Sequence, residues 1–191
     1  MSDSWPGHRD PSTAPGSLRL IEDLINSRSL VYGADDLTGP DELARWLSER
    51  ELLTTAAQVR PADLRRAVII REGLRATIAR RLGGPDAVTD PEPIAALDRL
   101  AGDLPLTVAL DPATGPRLRP RATQPVDAGL ARLLGVVAEA ALDGSWQRLK
   151  VCHNPACRWA YYDHSRNKSR TWCSMETCGN QAKARAFRRR H

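Results

Sequence analysis

All four cysteines of this 191-residue chain fall late, at Cys152, Cys157, Cys173 and Cys178. Four residues separate the members of each close pair, and fifteen separate the pairs. Two turns that each carry two thiols can approach one ion from two directions, the pattern of a four-thiolate zinc site. Two disulfides are the competing use of the same residues, but disulfides belong to oxidising compartments. The opening stretch MSDSWPGHRDPSTAPGS lacks the apolar stretch of a signal peptide and reads as a disordered leader over 1–16. Four thiolates also close a coordination sphere, so one structural Zn²⁺ is expected, with no catalytic position. Replacement of a thiol by His153 or His164 would reopen that position. A segment of about 40 residues buries too small a core to fold alone, so the metal would supply much of its folding free energy.

Charge divides the chain at the same place. From Lys150 to His191 there are ten Lys and Arg against two Asp and Glu, whereas the preceding residues carry 18 against 21. A basic end on a mildly acidic body suits a polyanion, and it equally suits a solvated, soluble tail. Between the cysteine pairs, RWAYYDHSRNKSRTW alternates well enough for a hairpin. Trp159, Tyr161 and Tyr162 would lie on one arm, Trp172 on the other, and HSRNKS at the turn.

The body reads as helical. SLRLIEDLINSRSL begins at a candidate N-cap, Ser17, with Leu20, Ile21, Leu24 and Ile25 at helical spacing. Asp23 and Asn26 stand about one turn apart there, open between lining a pocket and capping or surface roles. GPDELARWLSERELL places Pro40 at a helix start and Leu43, Trp46 and Leu47 on one face. RPADLRRAVIIREGLRATIARRLGG carries a stripe of Ala67, Ile70, Leu74, Ile78 and Leu82 and stops at Gly83-Gly84. A shorter helix is expected over Pro93–Leu100. Leu106, Val108 and Leu110 alternate before Asp111, Pro112 and Gly115, which predicts a β-hairpin. A long helix over Val126–Leu142 would turn Leu130, Leu133, Leu134, Val137 and Ala141 inward. No Gly-rich phosphate loop, paired-carboxylate signature or Ser-His-Asp arrangement stands out. His8 lies in the leader and His153, His164 and His191 in the tail, so a histidine site in the body would require the tail to fold back. An enzyme is the least favoured class. No apolar run reaches the roughly 18–20 residues that span a bilayer, so no membrane partner is expected and the cytoplasm is the default address.

The stretch LKVCHNPACRWAYYDHSRNKSRTWCSMETCGNQAKARAFRRR resembles the CGNR zinc-finger family, whose form is C-x-N-P-x-C, YD-x-S-R-N and WCS-x-x-x-CGNR-x-K. Cys152, Asn154, Pro155, Cys157, Asp163, Ser165, Arg166, Asn167, Trp172, Cys173, Ser174, Cys178, Gly179, Asn180 and Lys183 fit it. The body, with DLINSR in its first helix and a helix–hairpin–helix order, is similar to the ABATE domain that commonly precedes this finger. The resemblance implies a bacterial transcription regulator with four-cysteine zinc binding and DNA binding. One departure is Gln181, where the family motif carries Arg. If that position contacts phosphate, binding weakens; if it reads a base, Gln favours adenine where Arg favours guanine; or Gln181 only caps or packs.

The expected fold class is α+β. A mostly helical N-terminal domain with one β-hairpin (17–145) precedes a small treble-clef-like finger (146–191). On a C-terminal helix, Gln181, Arg185, Arg188 and Arg189 share a face, with Lys183 and Arg190 nearby, and Phe187 with Ala184 turned to dock on the hairpin. Arg166, Lys168 and Arg170 form a second basic edge, though Arg166 and Arg170 could instead pair with Asp163, Glu176 or the body. The first functional reading is a DNA-binding transcriptional regulator on double-stranded DNA, associated with the nucleoid when bound. Its helical body would serve a homodimer, a small-molecule effector or both. RNA binding and protein docking in the transcription or translation machinery are the alternatives.

Overall fold

A computed structural model of the protein describes residues 13–53, 57–83, 89–122 and 124–188. The leader before Thr13, Gly84, Arg189, Arg190 and His191 lie outside the described residues. The expected α+β class holds: helices dominate, with three two-stranded antiparallel sheets among the described residues.

Helix α1 (Arg19–Asn26) follows a 3₁₀ turn at Gly16–Leu18. Ser17 lies inside that turn and no side chain caps the helix, which corrects the expected N-cap. Glu22 instead reaches back to the Ala14 amide at 2.6 Å and fixes the incoming chain. Ile21, Leu24 and Ile25 are fully buried, and α1 packs against both long helices of the body. A two-rung ribbon of β1 (Arg28–Ser29) and β2 (Ala34–Asp35) follows. Strands of two residues leave no alternation to detect, so the sequence did not announce it.

Helix α2 (Pro40–Glu49) buries Leu43, Trp46 and Leu47. Helix α3 (Pro61–Leu82) starts on Pro61, and the Asp63 carboxylate accepts from the Arg60 amide at 2.9 Å. Ala67, Ile70, Leu74 and Ile78 form its buried stripe, and Gly83 ends it in the left-handed region (φ 63°). Helix α4 (Glu92–Gly102) crosses α3 at Gly73, where a Cβ would lie 2.5 Å from the Leu97 Cβ. The hairpin β3 (Leu106–Asp111) and β4 (Gly115–Pro120) leads into α5 (Pro125–Leu142). Leu130 and Leu133 are buried on α5, Leu134 and Val137 partly so, while Ala141 is exposed near the helix end.

A buried ionic hub joins α3 to the α1–β2 turn. Arg71, 1 % exposed, forks onto Asp35 at 2.7 and 2.8 Å and donates to Glu72 and to the Ser27 hydroxyl. Burial alone would push the Asp35 carboxyl up, but the Arg71 fork outweighs it and holds that group below its ordinary value. Arg75 donates to the Ile25 and Arg28 carbonyls.

After a 3₁₀ turn at Ser145–Arg148, β5 (Leu149–Val151) pairs antiparallel with β6 (Ala160–Tyr162). The expected hairpin between the two cysteine pairs is therefore corrected: Tyr161 and Tyr162 pair upstream with LKV, and Trp172 lies in no strand. The period of two explains the choice. Leu149, Val151, Ala160 and Tyr162 share one face and join the body's core, while Lys150 and Tyr161 face the other way. The SRTW segment offers no comparable apolar row. Helix α6 (Asn180–Arg188) closes the described chain. No helix among the described residues is long and apolar enough to cross a membrane.

Candidate metal centre

Two local devices bring the thiols together. The first pair flanks a tight knuckle in which the Cys157 and Arg158 amides both donate to the Asn154 carbonyl, at 2.8 and 3.1 Å. Arg158 takes a left-handed conformation there (φ 49°), and the Cys152 amide closes the knuckle onto the Trp159 carbonyl at 2.9 Å. The second pair spans a π turn at Met175–Gly179, capped by the Ser174 hydroxyl, which accepts from the Thr177 amide. In it the Gly179 amide bonds five residues back to the Ser174 carbonyl at 3.0 Å. That wider turn sets Cys178 at the base of α6. A Cβ at Gly179 would lie 2.9 Å from the Met175 sulfur, a contact that the flexible, exposed Met175 side chain can relieve by moving.

All four sulfurs lie within 4.8 Å of one another and all four residues are buried. Cys157 and Cys173 are 3.7 Å apart and Cys173 and Cys178 3.8 Å, far beyond the ~2.05 Å of a disulfide. A tetrahedral zinc ion with bonds of about 2.3 Å sets its sulfurs roughly 3.8 Å apart, so donor set and spacing fit that ion. Thiol hydrogen bonds from Cys157 and Cys173 hold the Cys152 thiol far below its ordinary range, and the same contacts push Cys157 and Cys173 up. Four thiolates packed this closely repel one another and are stabilised by a cation among them. The Trp159 amide also donates toward Cys157, and the Asn154 and Cys173 amides toward Cys152.

The outer shell is equally specific. The Asn154 side-chain Nδ2 donates to the Cys178 sulfur at 3.6 Å and to the Gln181 side-chain oxygen at 3.3 Å. Gln181, exposed at the start of α6, is thereby tied to the outer shell of the cluster. On the hairpin's outer face, Lys150 (side chain 7 % exposed) meets Asp163 (0 %) at 2.8 Å. Its other two protons go to the Lys168 and Arg170 carbonyls at 2.6 and 2.9 Å, so all three ammonium donors are used. Asp163 also accepts from the Ser165 and Arg170 amides. Burial works against its charge, but the Lys150 bond and these amides hold the carboxyl at about 2.

This hub rearranges the expected basic edge. Arg170 turns inward: its guanidinium stacks 4.7 Å from the Tyr161 ring and donates to the Trp172 and Cys173 carbonyls. Arg166 and Lys168 remain exposed on the loop. On α6, Lys183 and Arg188 are exposed and Arg185 is half-buried. Phe187 is 59 % exposed, so its ring is not buried as the expected docking on the hairpin would require. The outer hairpin face it would need is already filled by the loop that carries Asp163 and Arg170.

Sequence reasoning missed the seam between finger and body. The Asn26 side chain, at the end of α1, donates to the Ala160 carbonyl at 2.9 Å and accepts from the Ala160 amide at 2.8 Å. One carboxamide thereby completes the outer edge of β6, as a neighbouring strand would. Arg81 donates to the Trp146 carbonyl at 2.9 Å and to the Leu149 carbonyl. Glu22 and Asn26, four residues apart on one face of α1, both hold distant backbone, and that polar pair on a buried helix was the available signal.

Among known families, the ABATE model, described as "Putative stress-induced transcription regulator", matches residues 18–144, and the CGNR zinc finger model matches residues 148–191. No curated protein matches the chain.

Proposed function

The chain belongs to the ABATE family and ends in a CGNR zinc finger, and from that premise we propose that it is a DNA-binding transcriptional regulator acting at the nucleoid. One Zn²⁺ is held by Cys152, Cys157, Cys173 and Cys178 and serves structure alone, because four thiolates leave it no open position. The ion joins a knuckle seated on the body to the base of α6, so that α6 is presented at a fixed angle. Lys183 and Arg188 on α6, with Arg166 and Lys168 on the loop, then contact phosphates. Arg185, Arg189, Arg190 and the Gln181 position complete the basic end, while Arg170 serves the fold. The helical body is assigned the pairing of two copies or the sensing of a small effector. The observation that carries this reading is the convergence of four buried sulfurs at the foot of an exposed basic helix.

The test is selection of bound fragments from sheared genomic DNA at about 0.15 M salt, beside a Lys183→Ala/Arg188→Ala protein. A shared motif enriched by the parent and lost in the variant is the expected result. Even recovery across the pool would remove operator recognition. Zinc content tests the mount separately, with one equivalent expected per reduced chain.

Phe187 favours a second reading. An aromatic ring 59 % exposed between Lys183 and Arg188 can stack on an unpaired base. In that case folded or single-stranded RNA outcompetes duplex DNA at equal salt, and Phe187→Ala removes the preference.

A further inference from the structure

The hairpin β3–β4 has one blocked edge and one open edge, and the sequence decides which is which. Pro116 and Pro120 pair with Leu110 and Leu106. Proline has no N–H, so these rungs cannot be the ones that exchange bonds within the hairpin. The bond from the Arg121 amide to the Pro105 carbonyl, at 3.0 Å, sets the same parity. The inward ladder therefore uses Thr107, Ala109 and Asp111, and the backbone groups of Leu106, Val108 and Leu110 point outward. On β4 the outward row is Pro116, Leu118 and Pro120, two of which have no proton to donate, and Arg117 and Arg119 flank it. Natural sheets blunt an edge with such residues. β3 carries none of them, and no strand pairs with its outer edge among the described residues.

The apolar side chains follow the same division. Leu106 and Leu118 lie under α5, close to Gly135, where a Cβ would come within 3.7 Å of Leu106 and 3.9 Å of Leu118. Val108 and Leu110 continue that face past the helix and are 61 % and 81 % exposed.

We propose that β3 pairs antiparallel with β3 of a second copy of this chain, joining two hairpins into a four-stranded sheet. The strand is self-complementary about Val108. A two-fold axis there sets Val108 opposite its own symmetry mate and Leu106 of one copy opposite Leu110 of the other. All three of these rungs use outward-pointing backbone groups, so each can exchange two hydrogen bonds. Leu110 of each copy then packs beside the Leu106–α5 contact of the other. The strand's only charge, Asp111, falls opposite Pro105 and meets no like charge. The β4 edge would instead set arginines against arginines. This surface places the pairing assigned to the body on the body's own hairpin. Pairing through β3 needs no nucleic acid, so a monomer that still selects an operator would overturn this proposal alone.

The experiment is sedimentation equilibrium of the full chain in reductant, from roughly 1 to roughly 100 µM. The parent is expected to dimerise. Val108→Pro removes an outward N–H from each copy and leaves the inward ladder whole, and Leu110→Glu charges the bare tip of the face. Each should weaken the dimer about tenfold or more, with melting of the fold little changed. Should Val108→Pro fail to fold, Leu110→Glu alone decides. A parent that stays monomeric to the highest concentration overturns the proposal, as does a folded variant that dimerises as well as the parent.

Discussion

From Leu149 to Tyr162 the finger is body: one face of its hairpin belongs to the main hydrophobic core, and Asn26 and Arg81 pin its backbone. From Met175 to Arg188 it is the reverse. Met175 and Phe187 are half exposed or more, and α6 packs chiefly on the π turn before it. The cysteine cluster is the joint between these two regimes, with one pair on each side. A metal placed there adds little to the first half, which apolar burial already fixes. It should decide the position of the second half. Two ways of holding a short segment thus stand side by side: burial, which is spread over many contacts, and coordination, which is concentrated in four bonds.

The sharpest test of this contrast is Cys173→Ser. Structural zinc contributes about 10–16 kcal/mol of binding in small finger peptides, so tight metal binding should vanish. Amides of α6 should exchange freely in the variant while β5 and β6 keep their protection. Loss of protection in β6 as well would show that the metal holds both halves.

Next in size is Asp163→Asn, which leaves the buried Lys150 ammonium without its counter-charge and should cost about 3–5 kcal/mol in urea unfolding. The pH dependence has a definite sign. The folded carboxyl titrates near 2, below its ordinary 3.8, so its stabilisation is full above that ordinary value and is lost as pH falls towards 2. In a Cys173→Ser background, where metal release adds nothing, about 2 kcal/mol should disappear across that window, and Asp163→Asn should abolish the slope.

Asn26→Ala should cost about 1–3 kcal/mol by leaving both backbone groups of Ala160 unpaired. Faster exchange at the Ala160 amide, with α6 unaffected, would place the change in the seam. The smallest effect belongs to Phe187→Ala. An exposed ring on a helix held by coordination should change stability by less than about 0.5 kcal/mol. A larger loss would mean that α6 is anchored by packing after all.

The helices were legible because their signals are local. Pro61 at a first turn, Gly83 at a stop and apolar residues at spacings of three and four act within one element. The metal site was legible for a related reason: soft thiols in two close pairs have few other uses, whatever surrounds them. The partner of Ala160–Tyr162 was not legible in this way. LKV and SRTW are both short and flank the same cysteines, and the choice between them turned on which could lay an apolar row on the body. Arg170 illustrates the same limit, since its charge suggested a polyanion while its surroundings supplied a ring and two carbonyls.

What the sequence determined alone was the chemistry of the finger, because ligand type and spacing are properties of a single segment. The tertiary structure decided where that chemistry is attached. Asn26 and Ala160 are 134 residues apart and carry no shared period or motif. Their two hydrogen bonds exist only because burial of Ile21, Leu24 and Ile25 on one side, and of Leu149 and Val151 on the other, brings α1 against β6.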